Sequence, residues 1–316
     1  MAKLELNIIN YPYISYGIIT ENHINDKIFF NNSIDQVNYN KLYNNCLIDI
    51  SKKIYRGKTF IKDNILEVKL DSQYIKNMTR DDLKIIRKVG IKLYDNISYD
   101  NLKEYYTSDL YPLPQKDKKI DKNLKNINNF SYPLTHYEFF KYEDFDIFNF
   151  IVYYRYISHK YKQKFNKDAP CYDEIKKNIS RFNKLILEIK VAFNRIRPYQ
   201  ASFIEKIPIK TYITYAGQTP SIPSGHSLYG FLFGALIFYK LKNYFDSLEV
   251  DELKCELDLL IRISKDIGHR RIMAGVHYPS DMLGSWIIFE NIIKFLKIDD
   301  KIIAYYDKLK INLTNF

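Results

Sequence analysis

From about residue 137 onward, apolar positions recur at helical spacing and keep doing so nearly to the end of the chain. Residues 144–162 form an aromatic-rich helical pattern. Pro170 precedes a second, over about 172–196, where Ile175, Ile179, Phe182, Ile186, Ile189 and Phe193 follow at three- and four-residue steps. A loop with Pro208, Pro220 and Pro223 separates it from three more helices, at about 224–242, 250–274 and 279–297. Short connections between these three predict antiparallel packing into a bundle, and a last helix is expected over 300–311. The first 110 residues carry weaker signals. Residues 3–10 and 65–70 alternate as short strands do, and Thr79 with Asp81 and Asp82 predicts an N-cap and acidic first turn of a helix to about 94. Residues 111–133, with Pro112, Pro114, a lysine cluster and Pro133, read as a connector. The expected fold class is mainly α. An N-terminal region of mixed α/β or irregular structure covers 1–133, and a helical domain covers 134–316.

The same pattern bounds the setting. The longest apolar run, 228–239, is bounded by Lys240 and Lys242 and falls short of the ~20 residues a membrane helix needs. Glu290 and Lys294 interrupt the stretch 286–296. The opening residues show no charged segment followed by an apolar core, so a soluble, cytoplasmic protein is expected. Cys46, Cys171 and Cys255 are far apart and lack metal-ligand spacing, which predicts reduced, mostly buried thiols.

Charge narrows the partners. With 48 Lys and Arg against 37 Asp and Glu, the formal net charge is +11, which favours anionic ligands. The lysines are interleaved with acids and form no block, so they read as a solvated surface, and no nucleic-acid partner is expected.

Three short blocks carry candidate chemistry. The first is Lys190-Val-Ala-Phe-Asn-Arg-Ile-Arg197-Pro198, whose two outer cations lie seven residues apart and are expected on one face at a helix end. The second is Pro223-Ser224-Gly225-His226, a tight turn feeding an apolar helix. Free N–H groups and the dipole at a helix start attract an anion, Ser224 can cap the helix or bond the anion, and Gly225 allows close approach. The third runs from Arg271 through His277 to Asp281, with Pro279 suited to the first position of a helix. There Asp281 can reach back to His277, select its tautomer and leave the other ring nitrogen free to attack. Each block alone is commonplace: a solvated cation pair, a helix cap, a surface His–Asp pair.

Together, in this order, they resemble the signature of the type 2 phosphatidic acid phosphatase (PAP2) and vanadium haloperoxidase superfamily: Lys-x6-Arg-Pro, Pro-Ser-Gly-His, and Ser-Arg-x5-His-x3-Asp. The first two blocks match at every fixed position, and the third at Arg271, His277 and Asp281. Arg270 stands where the pattern has a small residue, which bears on substrate preference. The likeness covers about 185–285 and implies a helical bundle of the acid phosphatase type. It implies that Lys190, Arg197, Arg271, Ser224 and the amides of Gly225 and His226 hold a phosphoryl group. His277, oriented by Asp281, would form a phosphohistidine, and His226 would serve the leaving oxygen and then water.

The implied function is a metal-independent phosphatase acting on phosphate monoesters, with diphosphates and lipid phosphates as further candidates, and closest in layout to the soluble class A acid phosphatases. No cofactor and no metal site are expected: no His-x3-His or Cys-x2-Cys spacing occurs, and Asp144-Phe-Asp146 reads as first-turn charge. His269 reads as structural or exposed, and His23, His136 and His159 have no evident partners. Two alternatives remain open. One is a vanadate-dependent haloperoxidase using the same pocket, with vanadate as prosthetic group and not as inhibitor. The other is an inactive anion- or nucleic-acid-binding protein. The expected partner is a phosphorylated small molecule or lipid headgroup, and the oligomeric state is open.

Overall fold

Residues 225–240 are apolar around nearly their whole circumference, and a helix of that kind can only be a core element. In the computed structural model, which describes residues 36–62, 65–96, 145–209, 211 and 219–296, this stretch is the central helix. Ten helices and one hairpin make up the described residues: α1 (Gln36–Lys53), β1 (Lys58–Lys62), β2 (Ile65–Lys69), α2 (Ser72–Asn96), α3 (Phe145–Phe165), α4 (Tyr172–Ser180), α5 (Asn183–Phe193), α6 (Pro198–Ile204), α7 (Gly225–Lys240), α8 (Lys242–Phe245), α9 (Val250–Met273) and α10 (Pro279–Phe295). The protein is mainly helical, and its strands form one antiparallel pair with Lys58 opposite Lys69 and Lys62 opposite Ile65.

Helix α7 packs chiefly on α9 and α10. Small residues set the crossing with α9: a Cβ on Gly230 would lie 2.8 Å from the Ser264 carbonyl, and one on Gly268 would lie 2.8 Å from Ser227 Oγ. Ser227 therefore meets Gly268 while Gly230 meets Ser264, so α7 and α9 run antiparallel. Between α7 and α10 the contacts rise together instead. Ser224 meets Asp281 and Ser285, while Phe231 meets Trp286 edge-on with ring centroids 5.3 Å apart. These two helices run parallel and start at the same end of the bundle. Helix α9 ends there too, closed by Gly275 at φ 67°, a left-handed position that glycine adopts without steric cost. Topology thus gathers two helix N-termini and one C-terminus at one place.

The N-terminal helices share this core. Leu42, Cys46, Leu47 and Ile50 of α1 are buried, and α1 packs mainly against α10. Helix α2 buries Thr79, Asp82, Leu83 and Ile86, one stripe at helical spacing, and packs on α9, α10 and α6. Among the described residues no helix is long and apolar enough to cross a membrane.

Several sequence expectations need correction. The helix expected to open at Thr79 begins at Ser72, with Asp71 Oδ1 accepting from the Tyr74 amide at 3.0 Å; Asp82 lies on a buried stripe and not in a solvated first turn. The stretch 172–196 is two helices, broken at Arg181–Phe182, with α4 packed on α7 and α5 on α1. Lys190 and Arg197 do not share a helix face: α5 ends at Phe193, Asn194 turns left-handed at φ 39°, and Arg197 is the extended residue that caps α6. Of the cysteines only Cys46 is buried; Cys171 and Cys255 are exposed, on polar helix edges. The expected strand at 3–10, the connector at 111–133, the helix at 300–311, His23, His136 and Asp144 lie outside the described residues.

Candidate active site

The end of the bundle where α7 and α10 begin and α9 stops holds all eight residues singled out in the sequence. Ser224 caps α7, accepting at Oγ from the Ser227 amide (3.3 Å) and from Ser227 Oγ (2.8 Å). Its backbone is tied to α10: the Ser224 amide donates to the Asp281 carbonyl at 3.4 Å, and Ser285 Oγ donates to the Ser224 carbonyl at 2.8 Å. The Ile222–Pro223 peptide bond is cis. A Cβ on Gly225 would meet no atom within 4 Å, so the start of α7 faces open space. Positive helix ends and unpaired amides directed into that space favour an anion.

His277 and Asp281 are both buried, Asp281 completely. Asp281 Oδ2 lies 3.1 Å from His277 Nδ1 and accepts from the Tyr278 amide at 2.9 Å, the capping arrangement made by a carboxylate in the first turn of α10. Ser221 Oγ donates to the same oxygen. On the opposite side of the ring, Arg197 Nη1 lies 2.9 Å from His277 Nε2. A guanidinium only donates, so Nε2 carries the lone pair and Nδ1 the hydrogen. The nitrogen aimed at the cations is the one that carries the lone pair.

The cations come from three helix ends. Lys190 lies on the buried stripe of α5 beside Ile186 and Ile189, and its Nζ donates to the Pro220 carbonyl. Arg197 donates from Nε to the Thr219 carbonyl (2.6 Å), from Nη2 to Thr219 Oγ1 (3.1 Å) and from Nη1 to the Val276 carbonyl (2.7 Å). Arg271, in the last turn of α9, is also buried. Crowding shows in their acid–base properties. Burial first, then the neighbouring Arg197 and Arg271, push Lys190 well below its usual pKa. Arg197 falls to about 10, through burial and Arg271 against the pull of Asp281.

The two histidines feel the same charges. Burial, then Arg271, Lys190, Arg197 and Arg270, lower His226 well below the usual imidazole value. Burial, Arg197 and Lys190 lower His277, with Asp281 opposing. Lys190 and Arg197 thus act on both imidazoles, so both rings feel the same buried cations. Arg270 adds its charge on the His226 side.

Sequence reasoning missed a second set. Arg195 Nη1 donates to Asp281 Oδ1 at 2.8 Å and to Ser280 Oγ at 2.6 Å, and its Nη2 donates to Asp82 Oδ2 at 3.0 Å. Ser280 Oγ donates to Asp82 Oδ2. Burial alone would raise the Asp281 carboxyl; Arg195, then His277 and Ser221, hold it well below the carboxylate range instead. Arg195 and Ser280 stood inside the first and third blocks but outside their fixed positions. Asp82 lies 113 positions before Arg195, and nothing local in the sequence marks it.

The family comparison covers this region. Residues 179–296 match the family model of the PAP2 superfamily. An uncharacterized protein of Acanthamoeba polyphaga mimivirus is 30% identical over 128 residues, 40% of this chain and 29% of that protein. The chain therefore spans less than a third of the length of the relative it matches. No solved structure matches significantly.

Proposed function

Because residues 179–296 belong to the PAP2 superfamily, a group of phosphatases and related hydrolases, we propose that this chain is a metal-independent phosphatase acting on phosphate monoesters through a phosphohistidine. One observation carries the reading: His277 is held between Asp281 at Nδ1 and a cationic group at Nε2, so its lone pair faces an anion site. A protein that only bound anions would have no need of an oriented nucleophile there.

The residues divide the work as follows. A phosphoryl group entering at the start of α7 is held by Lys190, Arg197, Arg271, Ser224 and the amides of Gly225 and His226, with Arg197 turning from the imidazole to the phosphoryl oxygens. Phosphoryl transfer is catalysed mainly by such positioning and charge stabilisation, and three cations supply it here. His277 Nε2 attacks phosphorus in line, the P–O ester bond breaks, and the leaving oxygen takes a proton from His226. In the second half His226 takes a proton from water, the water oxygen attacks phosphorus, and the P–N bond breaks to release phosphate and neutral His277. His226 is lowered by burial first and by the cations next; entry of the anion offsets the cationic part, so that His226 takes up from solvent the proton it later donates.

The test is hydrolysis of p-nitrophenyl phosphate by EDTA-treated protein, with inhibition by vanadate and phosphorus NMR of the trapped phosphohistidine. His277→Ala is expected to lower turnover by about 10⁴-fold; unchanged turnover would end the assignment.

A further inference from the structure

We propose that Asp82 and Arg195 are positioning residues for His277, acting through Asp281, so that helix α2 takes part in the active site although it lies outside the family-matched segment. The inference rests on the phosphatase reading above. Asp281 has two carboxylate oxygens and uses them differently. Oδ2 takes His277 Nδ1, the Tyr278 amide and Ser221 Oγ, whereas Oδ1 takes Arg195 Nη1 at 2.8 Å. A carboxylate turns about its Cβ–Cγ bond unless both oxygens are held. Arg195 supplies the second hold and keeps Oδ2 in line with the imidazole.

Arg195 is itself over-determined. Its Nη2 meets Asp82 Oδ2 at 3.0 Å, its Nη1 meets Ser280 Oγ at 2.6 Å, and its guanidinium lies 3.8 Å over the Tyr278 ring. Side-chain exposures of 5% for Arg195, 9% for Asp82 and 0% for Asp281 leave the group essentially dry. An ion pair that served folding alone needs one acid for one guanidinium. Here two acids face one, and the surplus negative charge points through Asp281 at His277. The imidazole becomes cationic when Nε2 bonds phosphorus while Nδ1 keeps its hydrogen, so the surplus is matched in the intermediate and not in the resting enzyme.

The experiment uses the full chain with Asp82→Asn, Ser280→Ala, Arg195→Gln and Arg195→Lys, p-nitrophenyl phosphate turnover, and nitrogen-15 NMR of the His277 ring. Asp82→Asn and Arg195→Gln are expected to lower kcat by about 10- to 100-fold with KM changed by less than about threefold, and Arg195→Lys to restore part of the loss. The His277 spectrum is expected to lose its single Nδ1–H tautomer in Asp82→Asn. Should that variant not fold, Ser280→Ala, which removes only a bridging hydroxyl, takes its place in both measurements. Turnover within twofold of the parent in folded variants, or an unchanged tautomer, overturns the proposal. If the parent itself hydrolyses no phosphate ester, the phosphatase reading falls, and the NMR decides this inference alone: a lost tautomer upholds it and an unchanged one sinks it.

Discussion

The two sides of the His277 ring are built on opposite electrostatic plans. On the Nδ1 side, Asp281, Arg195 and Asp82 form a chain of hydrogen-bonded ion pairs in which two carboxylates share one guanidinium. On the Nε2 side, Lys190, Arg197 and Arg271 are buried together, and each depresses the proton affinity of a neighbour. The first arrangement holds a shape; the second stores an appetite for an anion. A protein can keep several like charges in its interior only where something else is stable enough to bear the cost, and the compensated side, with the packed α7–α9–α10 core behind it, does so.

That contrast can be broken at several points. The largest effect is expected on the cationic side: His226→Ala should slow poor leaving groups by about 10²- to 10⁴-fold and good ones much less, because in the proposed mechanism it removes the proton donor and not the nucleophile. A series of aryl phosphates of graded leaving-group pKa measures this.

Stability should separate the two sides next. Arg195→Met leaves Asp82 and Asp281 buried without their cation and should cost about 3–5 kcal/mol. Lys190→Met removes a charge from a crowd of like charges, so its stability without anion should be unchanged or higher, while stabilisation by added phosphate or vanadate is lost. Urea unfolding with and without vanadate reads both, and a Lys190→Met loss as large as that of Arg195→Met would erase the distinction.

A smaller effect concerns pH. Both histidines have native pKa values below the unfolded value of about 6.5, so the unfolded chain binds more protons as pH falls through that point. Stability is therefore lost toward acid, by up to about 1.4 kcal/mol per pH unit for buried His277, until its native pKa is reached. Asp281, whose native pKa is also depressed, contributes stability that is fully present above the unfolded carboxylate value of about 3.9 and is lost as pH falls from there through its native value. Vanadate should flatten the histidine part, as equilibrium unfolding between pH 5 and 7 would show. The smallest effect lies away from the site. Exposed Cys171 and Cys255 should react with a thiol reagent in the native protein and tolerate serine within about 0.5 kcal/mol, whereas Cys46 should react only on unfolding.

Legibility along the chain followed how local each device is. The helix starts at α7 and α10 were readable because a cap, its proline or glycine and the motif's histidine fall within five residues. The His277–Asp281 contact was readable for the same reason: one helical turn carries the carboxylate back to the ring. The Lys190–Arg197 pair was recognised by spacing, but the assumed continuous helix was wrong, because Asn194 ends α5 and a turn, not helical periodicity, returns Arg197 to the pocket. In the N-terminal part, α1 gave no legible pattern, since its buried Leu42, Cys46, Leu47 and Ile50 sit among asparagines, lysines and tyrosines that blur the apolar stripe.

Sequence alone determined the helical class, the caps and the identity of the chemical groups, because backbone preference, side-chain periodicity and acid–base type are properties of a residue and its near neighbours. Tertiary structure decided which cations are buried around the two histidines, which imidazole nitrogen faces them, and that an aspartate 113 positions from Arg195 shares its guanidinium with Asp281. Those depend on α7 and α10 starting at one end and on α2 packing beside them. Charge acts through distance in space, and only the fold converts separation along the chain into that distance.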